Sequence, residues 1–477
     1  MATTFLFDSS FCTGCKACQA ACKDRNQLPV GVLWRRVYEI TGSGNWVKNE
    51  GTWSSDVYAY NISMACNHCE HPKCAGVCPT QAYTIRPDGI VLLDPRRCTG
   101  CGYCGWACPY GAPQFDDKTG TMTKCNFCAD DLDAGQAPAC VTACPMRSLD
   151  QIEWTGQEVM PGYTQQVPPM PDADARNPRF QIKPHPAVQR ASQGDAFIAN
   201  REEVQTRLVG RFEEAPLVAF TLLAQMAVGV FILVGLLGLL GRSTTAPKFI
   251  QYSTSALYSV GAFLLISLTI SFSHLGKPGN AWRVLSNLRK SWLSREILYT
   301  SLFGGLWAMT ACMELLHAAG NLILLLWGCA SLSGLAAIWS MARVYRLKTV
   351  PSWSTWRTPA AFFISSFLLG SLWVGTLRSL IDPITTINLD HLKLIGLIIV
   401  LFLALAWTFS NSLGTLLVHR FHKIRQVFIW TGLLGIILRL LIPAPFGTWM
   451  MVAVFMLAFT EEILGRIEFY ESRKQEF

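Results

Sequence analysis

An α+β domain built as a tandem repeat, joined to an all-α domain of eight membrane-crossing helices, is the fold class that the sequence predicts. Three observations carry it. Sixteen of the 18 cysteines lie between Cys12 and Cys144, with only Cys312 and Cys329 beyond; spanning-length apolar segments dominate the chain after residue 216; and a proline-rich polar stretch separates the two. The 477 residues suffice for two or three domains. A content of 51% hydrophobic and 15% charged residues averages a polar half with an apolar one, which excludes a purely soluble protein. Forty basic against 32 acidic residues leave +8, too small an excess over this length to imply nucleic acid as a partner.

The cysteines form four groups of four: Cys12, Cys15, Cys18 and Cys22; Cys66, Cys69, Cys74 and Cys78; Cys98, Cys101, Cys104 and Cys108; Cys125, Cys128, Cys140 and Cys144. The first and third have the C-x2-C-x2-C-x3-C run of bacterial ferredoxins, and the others keep that pattern with one longer gap. Pro79, Pro109 and Pro145 follow three of the fourth cysteines, while Lys23 stands after Cys22. Iron in a cubane needs soft anionic donors, and closely spaced thiolates in a short loop wrap one cluster. Zinc ribbons use paired C-x2-C units with long spacers and do not call for two intact ferredoxin runs. Disulfides fit a short exported chain, whereas the opening Met1 to Asp8 has no basic start, apolar core or cleavage site. Residues 1–155 are therefore expected to be a double ferredoxin-like domain holding four [4Fe-4S] clusters.

The fourth cysteine of a ferredoxin run serves the partner cluster, so the groups must pair, second with third inside first with fourth. The expected ligand sets are Cys12, Cys15, Cys18 with Cys144; Cys125, Cys128, Cys140 with Cys22; Cys66, Cys69, Cys74 with Cys108; and Cys98, Cys101, Cys104 with Cys78. None of the sixteen is replaced, so no three-iron cluster is indicated. Trp34 and Trp106 read as packing residues rather than electron relays.

Residues 156–215 are rich in proline and polar residues around 161–186 and read as an extended tether, either a free linker or a strap across a partner or across the cluster domain. The anchor, 216–466, shows apolar segments at about 217–240, 253–273, 297–316, 322–342, 359–377, 394–418, 427–442 and 447–464, against about 20 residues for one crossing. A polar tail, 467–477, follows. An even number of crossings puts the cluster domain, the tail and the loops 274–296, 343–358 and 419–426 on one face. Those loops carry twelve basic residues against at most five on the other face, which favours the cytoplasmic side of a bacterial inner membrane, the periplasmic side being the alternative.

His274, His317, His391, His419 and His422 fall at or beyond span ends, so no haem is expected and a lipid-soluble quinone, menaquinone or ubiquinone, would exchange electrons with a cluster directly. Quinol oxidation releases two protons with two electrons and needs a proton acceptor beside the ring. His274 at the end of the second span and Glu296 at the start of the third, joined by a loop with Gly276, Pro278 and Gly279, are the candidate quinone-site residues; interfacial caps are the alternative. Glu461 and Glu462 read as pairing with Arg466 at helical spacing rather than as a proton path.

With these residues in place, the first 200 resemble the four-cluster electron-transfer subunit of the dimethyl sulfoxide reductase family. The resemblance lies in the cysteine runs and in Cys12-Thr-Gly-Cys15-Lys, Cys66-Asn-His-Cys69-Glu, Ala107 to Pro113 and Met122 to Cys125. The remainder resembles that enzyme's membrane anchor, in His274 to Pro278, Ser294 to Ile297, Arg343 to Tyr345, Thr349 to Trp353 with Trp356 to Pro359, and Glu462 to Arg466. The family keeps these as separate polypeptides, so the chain looks like a natural fusion. The resemblance implies a catalytic partner carrying a molybdopterin guanine dinucleotide, membrane lipid and quinone as further partners, and the quinol-site roles of His274 and Glu296. It implies electron transfer for S- or N-oxide reduction, with the reverse flow of a cytoplasm-facing sulfite dehydrogenase as runner-up and a redox-driven transporter as the remote alternative.

Overall fold

The computed structural model describes residues 2–42, 46–49, 51–55, 58–154, 159–171, 177–188, 197–198, 214–240, 247–316, 320–381, 389–410, 419–442 and 446–472. It divides into two units: Met1–Arg211 with Leu275–Ser291, and Phe212–His274 with Trp292–Phe477.

In the first unit, strand Ala2–Asp8 turns Phe5 and Phe7 to the same side, as a period of two requires, and both are buried. Phe5 stacks on Phe127 at 3.9 Å and Phe7 on Phe180 at 6.4 Å. Ala2–Asp8 is the middle strand of three, antiparallel to Leu149–Trp154 and parallel to Phe180–Lys183. A second sheet orders Phe197–Ile198, Arg36–Thr41 and Ala59–Met64. Hairpins Tyr83–Ile85 with Val91–Leu93 and Gln114–Asp116 with Thr121–Thr123 follow the second and third cysteine groups. The described part of the proline-rich segment is thus sewn into the cluster domain: Phe180–Lys183 supplies a strand, and Thr164 bridges to Ile182. Its remainder at 172–176, 189–196 and 199–213 lies outside the described residues.

The second unit is helical. Its long helices among the described residues are Ala215–Leu240, Pro247–Ser273, Trp292–Leu315, Gly320–Tyr345, Arg357–Ile381, Leu389–Ser410, His419–Leu438 and Phe446–Ser472. Among the described residues, four stretches are long and apolar enough to cross a membrane: Ala215–Leu239, Ser253–Ser273, Gly320–Tyr345 and Arg357–Ile381. The first, with a mean hydropathy of 2.5, packs closely along the fourth. Gly229 and Gly370 permit that approach, since a Cβ on Gly229 would meet the Ser366 carbonyl and one on Gly370 the backbone of Gly229. Ser366 seals the contact by donating to the Gln225 carbonyl at 2.6 Å.

Two expected boundaries are corrected. The seventh helix begins at His419, so the stretch 419–426 read as a loop is helical; its histidines and basic residues interrupt the apolar pattern without breaking the backbone. The last helix runs to Ser472 through the first part of the presumed tail, because Glu461, Glu462 and Arg466 find buried partners and the helix is not obliged to stop where hydropathy falls.

Candidate functional site: four thiol cages and a buried polar cluster

Each cysteine group supplies a short helix. Cys18 and Cys22 lie on Ala17–Arg25, Cys74 on Lys73–Val77 with Cys78 as its cap, Cys104 on Tyr103–Ala107 with Cys108 as its cap, and Cys140 on Ala139–Thr142 just before Cys144. Left-handed Lys16 and Gly102 turn the chain sharply into the first and third of these helices. Backbone N–H groups then face sulfur: Gly100 N–H to Cys98 Sγ at 3.3 Å, Phe127 N–H to Cys125 Sγ and Ala82 N–H to Cys78 Sγ, both at 3.4 Å.

The thiols converge across groups. One cavity is lined by Cys12, Cys15, Cys18 and Cys144, and a second by Cys66, Cys69, Cys74 and Cys108. Cys22 lies in electrostatic reach of Cys140 and Cys128, and Cys125 in reach of Cys22 and Cys140. Cys78 lies in reach of Cys98, Cys101 and Cys104. Burial pushes the Cys22 thiol up to about 12 and holds Cys74 and Cys125 well above the ordinary thiol value, so these sulfurs keep their protons until a metal displaces them.

The interior fits iron–sulfur clusters on a further observation. Arg35 is 1% exposed and sits among Cys18, Cys22, Cys125 and Cys140. It donates through Nη1 to the Ser63 carbonyl and hydroxyl at 3.3 and 3.2 Å and lies over the Phe5 ring, while Nε and Nη2 have no partner among the described residues. A buried cation with orphaned donors demands an acceptor. The sulfurs of an anionic cluster are such acceptors. Lys124, also buried, lines the second cavity and donates to the carbonyls of Val91 and Cys125. Neither cation stands out in the sequence, because one arginine or lysine among 40 basic residues carries no signal until its burial is known.

In the helical unit, Glu296 is 3% exposed on Trp292–Leu315, and its carboxyl group lies within electrostatic reach of the Tyr345 and Tyr470 hydroxyls. Tyr470 donates to Tyr345 at 2.6 Å. His274 lies near the Ser271 carbonyl, and its buried Nδ1 has no hydrogen-bond partner among the described residues. Both predicted residues therefore lie in this unit. The expected Glu461 or Glu462 pairing with Arg466 is corrected in part. Glu462 keeps Arg466 as an electrostatic partner, as expected, and also accepts from Ser365 at 2.8 Å, whereas Glu461 takes Arg425 at 2.7 Å; Arg466 donates to Gln225 at 2.8 Å while lying over Phe362. For Glu461 the interhelical cation outcompetes spacing along one helix, since a buried charge needs a close partner.

A cysteine-caged electron-transfer domain continuous with a helical membrane anchor is the class of protein this fold defines. Residues 209–471 match the DMSO reductase anchor subunit (DmsC) model, and residues 57–153 match a 4Fe-4S dicluster domain. The B subunit of the anaerobic dimethyl sulfoxide reductase of Escherichia coli (strain K12) is 44% identical over 200 residues, which is 42% of this chain and 97% of that one. Its counterpart in Haemophilus influenzae is 42% identical over 201 residues, 42% of this chain and 98% of that one. Thiosulfate reductase electron transfer subunit PhsB of Salmonella typhi is 40% identical over 170 residues, 34% of this chain and 84% of that one. The chain belongs to the DMSO reductase anchor subunit family and carries, in the same polypeptide, an iron–sulfur electron-transfer subunit of that enzyme class. It is a membrane protein.

Proposed function

We propose that this chain conducts electrons between the quinone pool and a separate molybdopterin guanine dinucleotide catalytic subunit that reduces an S- or N-oxide. The observation that carries the reading is the meeting of cross-group thiols around Arg35 and in the two cavities, on a chain that continues into the anchor. Four [4Fe-4S] clusters, held by the sixteen cysteines in the nested sets given above, would supply one-electron steps. Arg35 and Lys124 offset their negative charge, and the surrounding N–H groups orient and stabilise the thiolates.

At the membrane, His274 Nδ1 and the Glu296 carboxylate would accept the two protons of a quinol, menaquinol or ubiquinol, while its two electrons leave through the clusters. Tyr345 and Tyr470 would hold Glu296 in a polar setting. No haem is needed in this scheme. The relatives' roles in dimethyl sulfoxide and thiosulfate reduction favour the reducing direction over sulfite oxidation. Purifying the chain with its large subunit and assaying quinol oxidation with dimethyl sulfoxide, trimethylamine N-oxide and sulfite tests this: turnover with an S- or N-oxide is expected, and sulfite-dependent quinone reduction alone would overturn it.

The apolar segments support an eight-span anchor in a bacterial inner membrane, and the loop charges support the cytoplasmic face for its cluster domain. Protease added to intact spheroplasts is expected to leave the first 215 residues uncut. Digestion of that portion would place the clusters in the periplasm.

A further inference from the structure

Leu275–Ser291 lies between two anchor helices in the sequence yet belongs to the cluster unit. Its 3-10 turn, Pro278–Asn287, presents side chains to both segments that carry the cysteines of one cage. Asn280 Nδ2 donates to the carbonyls of Arg96 and Cys98, each at 2.9 Å. Asn287 Nδ2 donates to the carbonyls of Cys78 at 2.8 Å and Gly76 at 3.2 Å, and Ser291 Oγ to Val77 at 2.8 Å. The loop thus ties the Cys98 segment to the Cys78 segment through two asparagines.

The contact reaches sulfur through a single peptide group. Lys277 N–H donates to the Thr99 carbonyl at 3.0 Å, and the N–H of that same peptide, on Gly100, donates to Cys98 Sγ at 3.3 Å. A donor at one end of a peptide polarises it and strengthens the bond at the other. The Lys277 side-chain cation also lies within electrostatic reach of Cys98. Gly276 makes the seating possible: a Cβ there would strike the Gly120 backbone, and a Cβ on Gly100, at φ +74°, would strike the backbone of both. A positive charge and stronger N–H to sulfur bonds both favour the more negative, reduced state of a cluster.

We propose that the 275–291 loop is a redox-setting clamp, in which Lys277 raises the reduction potential of the cluster held by Cys98, Cys101, Cys104 and Cys78, while Asn280 and Asn287 are positioning residues that fix its two ligand segments. The proposal rests on that four-cysteine set holding one cluster. Its consequence is that this cluster differs in potential from the others because of residues contributed by the anchor half of the sequence. His274 to Pro278 stands out in the sequence as a motif, and the clamp gives its Gly276 and Lys277 a role apart from the quinone.

Potentiometric titration of the full chain in membranes, read by electron paramagnetic resonance, tests this. Wild type and the variants Lys277→Gln, Lys277→Arg and Gly276→Val would be compared. Lys277→Gln is expected to lower the midpoint potential of one cluster only, with all four still assembled. Lys277→Arg, which keeps charge and backbone, should stay at the wild-type value. Gly276→Val, by lifting the loop, should shift the same cluster in the same direction as Lys277→Gln. Four unmoved potentials in Lys277→Gln, or equal shifts in several clusters, would overturn the clamp. A wild-type count other than four would instead overturn the ligand sets beneath it.

Discussion

Replacing His274 with alanine, or Glu296 with glutamine, is expected to cut quinol-dependent turnover by about a hundredfold or more, the range that a positioned proton acceptor contributes. All four clusters should remain, because their thiols lie in the other unit. Turnover driven by a dye that donates directly to the soluble subunits should survive. His274→Ala removes the imidazole acceptor outright, and Glu296→Gln replaces the carboxylate with an amide that cannot take up a proton, so each leaves one of the two acceptors missing. Glu296→Gln is the more telling of the two, since it keeps the shape beside Tyr345 and Tyr470 and removes only the titration. Full quinol-dependent activity in both variants would reduce these residues to interfacial caps.

Cys22→Ser is expected to disturb the cluster of Cys125, Cys128 and Cys140, sulfurs within its electrostatic reach, and to spare the cluster of Cys12, Cys15 and Cys18 in its own run, whose cavity Cys144 completes. Serine keeps the volume but replaces a soft thiolate with a hard, weakly acidic hydroxyl, so one iron loses its preferred donor. Loss or conversion of a single cluster, with the remaining three unchanged by paramagnetic resonance, is the expected outcome. If the disturbed cluster is instead the one gripped by Cys12, Cys15 and Cys18, the nested pairing is wrong.

The iron–sulfur domain was legible in the sequence because ligand chemistry fixes residue type and spacing together. Cys98 to Cys108 cannot be shifted by one residue and still wrap a cubane, so the pattern survives without knowledge of the fold. The anchor was legible for a cruder reason, that about 20 apolar residues are needed to cross lipid. What escaped was tertiary. Arg35 and Lys124 are ordinary cations until burial among thiols gives them a task. The partner of Glu461 is Arg425, 36 positions away on another helix, which no helical period reveals. Asn280 and Asn287 sit in a loop whose polar residues look like solvent-facing caps, and only the fold shows their amides spent on the carbonyls of Cys98 and Cys78.

The central claim is that one polypeptide carries electrons from quinol into its own clusters. Adding a quinol anaerobically to membranes holding the full chain, and recording the cluster signals by electron paramagnetic resonance, tests it most directly. At least one reduced-cluster signal is expected to appear in the wild type and to be absent in Glu296→Gln, while dithionite reduces the clusters of both. Clusters that dithionite reduces but quinol leaves oxidised in the wild-type chain would contradict the account.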